Sequence, residues 1–206
     1  MHSSHEIITG PNSQALSIKE LKSLIGLECK EKFEDNILFS LLDAATSVIE
    51  SYLDICLISR TIKHKYHIGI AGVKSEYKYP LSFRPILNTI SLHAKSQGEK
   101  GIVEINNDDY YIEQPFNQFP IVTVRDDGYQ YISADNFYTF VLVSNAGYGN
   151  IEHVPEEIKN AIAKYVDLFI NGITTLHISS TGQLLNIIPI PEDIKENIKK
   201  YKLGSV

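Results

Sequence analysis

The sequence predicts an α+β fold, in which a helical core, formed by a long N-terminal helix and C-terminal helices, carries an inserted antiparallel β-sheet or hairpin region. Apolar residues recur at helical spacing over residues 35–53. Over residues 57–143 the period shifts towards two, and β-branched and aromatic residues dominate. Helical spacing then returns after Val154. Strands grouped between helices are typical of an α+β class.

Length and charge limit the organisation and the partners. With 206 residues the chain is long enough for one domain, and we expect a flexible polar tail over residues 1–14 and a single domain over residues 15–206. The formal net charge of -6 argues against a protein that wraps nucleic acid, because such proteins concentrate lysine and arginine on one face. Any contact with DNA should therefore be loose. No apolar run is long enough for a membrane span.

Helix signals are clear at the start of the chain. Ser17 and Glu20 fit a capping box, in which each side chain accepts a hydrogen bond from the backbone of the other residue. This predicts a short helix that ends near Gly26. Asp35 can cap the next helix. The apolar stripe of that helix is wide enough to be covered on more than one side, either by other elements of the same subunit or by a neighbouring copy.

Turn residues divide the strand region. Gly, Asn and Asp cluster at residues 97–101, 106–108 and 126–128, and these residues tolerate the positive φ angles of tight hairpins. Several antiparallel strands are therefore expected. Gly147 and Gly149, in the segment Asn145-Ala-Gly-Tyr-Gly149, let the chain turn sharply out of the last strand. This structural interpretation is preferred to a phosphate-binding loop, because the Lys-Ser/Thr element is missing.

Two C-terminal helices begin with proline. Pro155 is expected at the first position of a helix that should run to about Asn171, and Pro191 at the first position of a shorter one. In the shorter helix Ile194, Ile198 and Tyr201 fall at i, i+4 and i+7. A helix of two to three turns is marginal alone, so it needs a docking surface in this subunit or on a partner.

No catalytic, cofactor-binding or metal-binding residues are predicted. His64 and His67 would lie on opposite faces of a strand, which disfavours a shared metal ion. Asp108 and Asp109 could suggest paired carboxylates for hydrolysis, but no supporting residue is obvious, and solvated turn acids are preferred. Asp126 heads a segment that lacks the remaining carboxylates of a calcium loop. Tyrosine and phenylalanine are expected in the core and in subunit contacts.

The order of these signals resembles the head-tail connector, or adaptor, proteins of long-tailed phages and gene-transfer agents. The Val141–Gly149 sequence resembles the family's strand and Ala-Gly-Tyr-Gly turn, and Val154-Pro-Glu-Glu resembles its helix start. Further similar segments are residues 16–25, 35–53, 56–62, 79–90 and 194–206. The sequence departs from the family pattern near residues 178–182.

The resemblance implies a non-enzymatic structural subunit of the virion, made in the bacterial host cytoplasm and located at the head-tail junction. It implies a homo-oligomeric ring of about a dozen copies that can be monomeric when free, with different patches meeting in each contact. The ring would attach to the portal protein, extend the DNA channel, and provide the platform for a tail or stopper protein during virion assembly. Double-stranded DNA would pass through the channel without sequence-specific contacts.

In that family pattern, residues 187–206 form a docking segment, with Ile194, Ile198, Tyr201 and Leu203 as portal or partner contacts. Two alternatives remain open from the residues. One is a tail-terminator or other head-completion protein, and the other is a small metal-dependent hydrolase or nuclease that uses the acids around Asp108 and Asp126.

Overall fold

The computed structural model describes residues 2–27, 34–68, 76–96, 102–115, 118–125, 138–171 and 189–202. The β-strands in these ranges are β1 (His2–Thr9), β2 (Arg60–Ile68), β3 (Glu76–Pro80), β4 (Ile86–Ser96), β5 (Ile102–Glu104), β6 (Tyr110–Glu113), β7 (Ile121–Arg125) and β8 (Tyr138–Ala146). The α-helices are α1 (Ile18–Leu24), α2 (Asp35–Leu53), α3 (Glu156–Ile170) and α4 (Glu192–Ile198).

The chain divides into two compact units. The β-unit comprises residues 1–12 and 59–149, and the helical unit comprises residues 13–58 and 150–206. Within the described residues, every strand belongs to the β-unit and every α-helix belongs to the helical unit.

The predicted architecture, a helical core formed by a long N-terminal helix and the C-terminal helices with an inserted sheet or hairpin region, is wrong, although the class is α+β. The strands form two antiparallel sheets, one ordered β1-β2-β8-β4-β5 and the other β3-β7-β6. The first element is a strand, and the first helix has only seven residues. The error arises because β2 pairs with β8, far along the chain, whereas turn residues report only local connections.

Residues 2–9, which were predicted to belong to a flexible tail, form the edge strand β1. It pairs antiparallel with β2, for example Ser4 with Lys65 and Ile7 with Ile62. The described side chains of β1 are exposed, so backbone pairing rather than apolar burial holds the strand. Such a strand leaves no apolar periodicity in the sequence, which explains why it was missed. The single domain over residues 15–206 stays a prediction.

The core of the β-unit lies where the two sheets face each other. Tyr66 on β2 and Phe140 on β8 are nearly inaccessible, and the ring of each lies 5.5 Å from the ring of Tyr79 on β3. The Tyr66 hydroxyl donates a hydrogen bond of 2.7 Å to the Pro80 carbonyl. The aromatic rings therefore join the two sheets, and the buried hydroxyl has a polar partner.

The chain leaves the last strand of the β-unit through the predicted glycine turn. Gly147 has a φ of 126° and Gly149 a φ of 98°, values that favour glycine because they disfavour a Cβ atom. The Gly147 N–H donates to the Pro85 carbonyl at 2.8 Å, and the Ser59 N–H donates to the Gly149 carbonyl at 3.2 Å. The sharp reversal predicted for this segment is confirmed.

The helical unit begins with the predicted capping box. The Glu20 N–H donates to the Ser17 hydroxyl at 3.2 Å, and the Ser17 N–H donates to the Glu20 carboxylate at 3.0 Å. Helices α2, α3 and α4 then bury one face each; their buried apolar residues are Leu38, Leu41, Leu42, Ala45, Ile49 and Leu53 on α2, Ile158, Ala161, Ile162, Ala163, Tyr165, Val166 and Phe169 on α3, and Ile194 and Ile198 on α4. These faces form the core of the unit.

Candidate partner-contact segment

The four residues predicted as portal or partner contacts do not form one exposed apolar surface. Ile194 is 2% exposed and Ile198 is 0% exposed, and both belong to α4, which packs against α3. Tyr201 is half-buried, in a 3-10 helix that continues α4. Leu203 lies outside the described residues. The docking surface that the short helix requires is thus supplied by this subunit, at least for its two isoleucines.

Local chemistry explains why α4 forms here. Pro191 is the N-cap residue, and Glu192 and Asp193 in the first turn complement the positive end of the helix dipole. Ile194 and Ile198 are one turn apart, so both point to the same side. The Lys195 ammonium group lies 2.5 Å from the Glu192 carboxylate, which adds an ion pair on the more exposed side.

Polar contacts hold the end of this segment to the rest of the helical unit. The Lys200 ammonium group lies 2.7 Å from a Glu157 carboxylate oxygen, and the Tyr201 hydroxyl donates to the other oxygen at 3.0 Å. The hydrogen bond from Lys200 is the main cause that lowers the pKa of Glu157 to about 2, and Tyr201 adds to it. The Lys202 ammonium group lies 4.2 Å from the ring centre of Tyr52 on α2, a cation–π contact.

We predict that Lys200→Gln raises the pKa of Glu157 from about 2 towards the usual value of 4.5, because the substitution removes the charged donor. NMR titration of the side-chain carboxyl carbon measures this directly. The control is Lys199→Gln. The Lys199 ammonium group lies 3.3 Å from the Glu196 carboxylate, so its removal should leave the titration of Glu157 as in the wild type. An unchanged titration of Glu157 in Lys200→Gln would show that this contact does not hold the segment.

A groove that the sequence did not predict lies between α1, α3 and α4 within the helical unit. Its volume is about 400 Å³, and its lining residues are Leu24, Ile25, Asn160, Ala163, Lys164, Asp167, Leu168, Pro191, Asp193 and Ile194. Leu24 is 46% exposed, so part of the apolar lining is open to solvent. The groove could not be predicted because it depends on how three helices pack, and each helix pattern alone shows only that one face is covered.

Those residues considered for metal binding or hydrolysis that the structure describes do not form a shared site. His64 is buried and His67 is exposed, so the predicted placement on opposite faces of the strand is confirmed. Asp108 is exposed in a 3-10 helix, and its backbone carbonyl accepts a hydrogen bond from Arg125 at 3.3 Å. Asp126 lies outside the described residues. Among the described residues, no group of three or more histidine, cysteine or acidic side chains is placed to hold a metal ion.

In the part of the chain that the structure describes, none of the helices has the length and apolar character needed to cross a membrane. No protein-family model matches the chain, and no curated protein sequence matches it.

Solved structures do share its fold. A chain of a structure described as the neck of an empty gene transfer agent (GTA) particle, computed with C6 symmetry, matches with a TM-score of 0.66 and 15% sequence identity. The match covers 98% of this chain and 97% of that chain. A chain of a structure described as the virion of a native GTA particle matches with a TM-score of 0.64 and 15% identity, over 98% of this chain and 96% of that chain.

These matches define the class of the protein as an α+β chain with the fold of components of a GTA particle. The coverage is nearly complete on both sides, so the shared fold extends over the β-unit and the helical unit alike.

Proposed function

We propose that this protein is a non-enzymatic structural subunit of the neck of a phage or gene-transfer agent particle, where it forms a head-tail connector ring. The observation that carries the proposal is the fold shared, over 98% of this chain, with a chain from the neck of a GTA particle. In this role the ring attaches to the portal protein, extends the DNA channel and offers a platform to a tail or stopper protein. About a dozen copies would close the ring, with two different patches meeting in each contact.

The structure changes which residues are best suited to contact the portal. Ile194 and Ile198 lie in the core of the helical unit, so a partner could reach them only if α4 left α3. Tyr201 is only half-buried, and Leu203 follows it in the sequence. We therefore retain Tyr201 and Leu203 as the proposed portal contacts, and assign to the two isoleucines the task of holding the segment in place.

The test is to mix the purified chain with the portal protein of the same genome, and to examine the product by sedimentation and negative-stain electron microscopy. We expect additional ring density at the tailward end of the portal. The variant Tyr201→Ala/Leu203→Asp should lose attachment while its circular dichroism spectrum stays unchanged. The exposed residue Asn197 supplies the control, since Asn197→Ala should attach normally.

Failure of the folded wild-type chain to bind an assembled portal would contradict the connector role. A second candidate is another neck protein, such as a tail terminator, because the matching structures are described only as a neck and a virion. Binding to the end of the tail tube, with no binding to the portal, would support that candidate.

A further inference from the structure

Positive and histidine side chains collect on one face of the five-stranded sheet. Lys63, Lys65 and His67 alternate along β2 with residues whose side chains are buried in the core, so the three point to the opposite, outward face. His93 and Lys95 do the same on β4. His67 and Lys95 are exposed, and the other three side chains are half-buried. We call these five residues the basic face.

The strand register places the basic face in two rows, one along β2 with Lys63, Lys65 and His67, and one along β4 with His93 and Lys95. Lys65 lies opposite Val141 of β8, which in turn lies opposite His93 of β4. Two residues further along the strands, His67 lies opposite Thr139, which lies opposite Lys95. Residues on β2 and β4 are therefore separated by the width of β8, which places the rows roughly 10 Å apart, since neighbouring strands are about 4.8 Å apart.

The positive charge of this face is largely uncompensated. Glu6 on β1 lies opposite Lys63, and Glu104 on β5 lies opposite His93, so the acids occupy the two outer strands. The ion pairs formed among the described residues do not include Lys63, Lys65 or Lys95. The protein as a whole carries a net charge of -6, so this concentration of lysines stands out against an acidic background.

We propose that the basic face contacts the phosphate backbone of double-stranded DNA. The row on β2 and the row on β4 are about 10 Å apart, and the grooves of DNA are about 6 and about 12 Å wide, so flexible lysine side chains on each row can reach phosphates on opposite sides of a groove. The side chains between them, Val141 and Thr139, contribute no charge to the contact. The choice of DNA over an acidic protein surface rests on the proposed function, which brings passing DNA to the neck.

The affinity of the basic face for DNA is expected to be low, because the face carries few positive charges. Three lysines neutralise far fewer phosphates than the roughly 6 to 10 that tight DNA-binding proteins contact. Glu6 and Glu104 reduce the attraction further. The basic face can therefore guide DNA without holding it, as a channel requires.

The test is fluorescence anisotropy of a labelled duplex of about 20 base pairs, titrated with the full-length chain between about 25 and about 200 mM salt. We expect binding at the lowest salt, with no dependence on base sequence. In Lys63→Gln/Lys65→Gln/Lys95→Gln the affinity at low salt should fall at least roughly tenfold, and the slope of log K against log salt should decrease by about 2 to 3. The corresponding arginine triple variant should bind as the wild type does.

The control is Lys19→Gln/Lys164→Gln/Lys199→Gln, which removes the same charge from exposed positions of the helical unit. Equal loss in both glutamine variants, or no duplex binding by the wild type, overturns the proposal. The wild type could also bind a labelled polyglutamate peptide and not the duplex, with the peptide binding lost in the lysine-to-glutamine variant of the basic face. That result would assign the basic face to an acidic protein and would also overturn the proposal. Portal attachment of Lys63→Gln/Lys65→Gln/Lys95→Gln is measured separately and should be normal. Failure of the connector role is thereby distinguished from failure of the DNA contact.

Discussion

Ile198→Ala is expected to lower the free energy of unfolding by about 2 to 5 kcal/mol, the range found when a buried isoleucine or leucine is truncated. Ile198 is 0% exposed, and with Ile194 it forms the apolar side of α4. Removing the side-chain atoms loses their transfer free energy and leaves a cavity against α3. Chemical denaturation followed by circular dichroism measures the change.

The matched control is Asn197→Ala, an exposed position in the same helix, where a change within about 0.5 kcal/mol is expected. The comparison separates two roles for the α4 isoleucines. If Ile198 served only as a portal contact, its truncation would leave the stability of the free chain unchanged and reduce portal binding alone. A large loss of stability in the free chain would identify it as a core residue of this subunit.

Most local signals in the sequence predicted local structure correctly. The exception is Asp35, which was predicted to cap α2 but is its first helical residue, after the N-cap residue Glu34. The Ser17 and Glu20 pair forms the predicted capping box, and Gly147 and Gly149 adopt the positive φ angles that the turn requires. Each of these features depends on a few neighbouring residues, whose chemistry acts in the same way wherever the segment is placed. The two prolines marked the starts of α3 and α4 to within one residue, because proline has a fixed φ and lacks the N–H that a helix start leaves unpaired. Each is the N-cap residue rather than the first helical residue that was predicted.

Long-range pairing could not be predicted in the same way. The strand β1 has exposed side chains and is held by pairing with β2, a partner more than fifty residues away. The basic face arises only because β8 pairs with β2 on one side and with β4 on the other. Neither pairing leaves a periodic signal within a single segment, so the strand signals in the sequence could not give the correct architecture.

The predicted contact residues show a related limit. The spacing of Ile194 and Ile198 correctly indicated a side of α4 that must be covered, but the same spacing serves a core and an interface equally. Only the position of α4 against α3 decides between them for the free chain. Tyr201 and Leu203 have no such assignment to the core, and they remain the residues to test on the portal.

Acidification is expected to destabilise the protein through His64. This side chain is 1% exposed, and within the described residues its Nε2 atom has no hydrogen-bond partner. Its ring stacks on Tyr66 with 6.4 Å between the ring centres and lies 6.2 Å from the ring of Phe83. Burial lowers the pKa of His64 from 6.5 to about 4, and the positive charge of His5, which faces it on β1, adds to the effect.

The direction of the pH effect on stability depends on whether the folded or the unfolded chain binds the proton more readily. Between pH 6.5 and about 4 the unfolded chain takes up a proton at His64 that the folded chain does not, so the free energy of unfolding falls as the pH falls. The stabilisation is complete above pH 6.5 and is lost towards pH 4. Since one pKa unit corresponds to about 1.4 kcal/mol, the whole interval costs about 3 kcal/mol.

His64→Phe is expected to remove this part of the pH dependence, because phenylalanine keeps an aromatic ring beside Tyr66 and cannot be protonated. Denaturation at pH 7.5 and pH 4.5 should therefore show a smaller acid-induced loss in the variant than in the wild type, with most of the roughly 3 kcal/mol difference present at the lower pH. The exposed His153 provides the control, since His153→Gln should keep the wild-type loss. An equal acid-induced loss in wild type and His64→Phe would mean that the pKa of His64 is the same in the folded and the unfolded chain, and that other groups account for the sensitivity to acid.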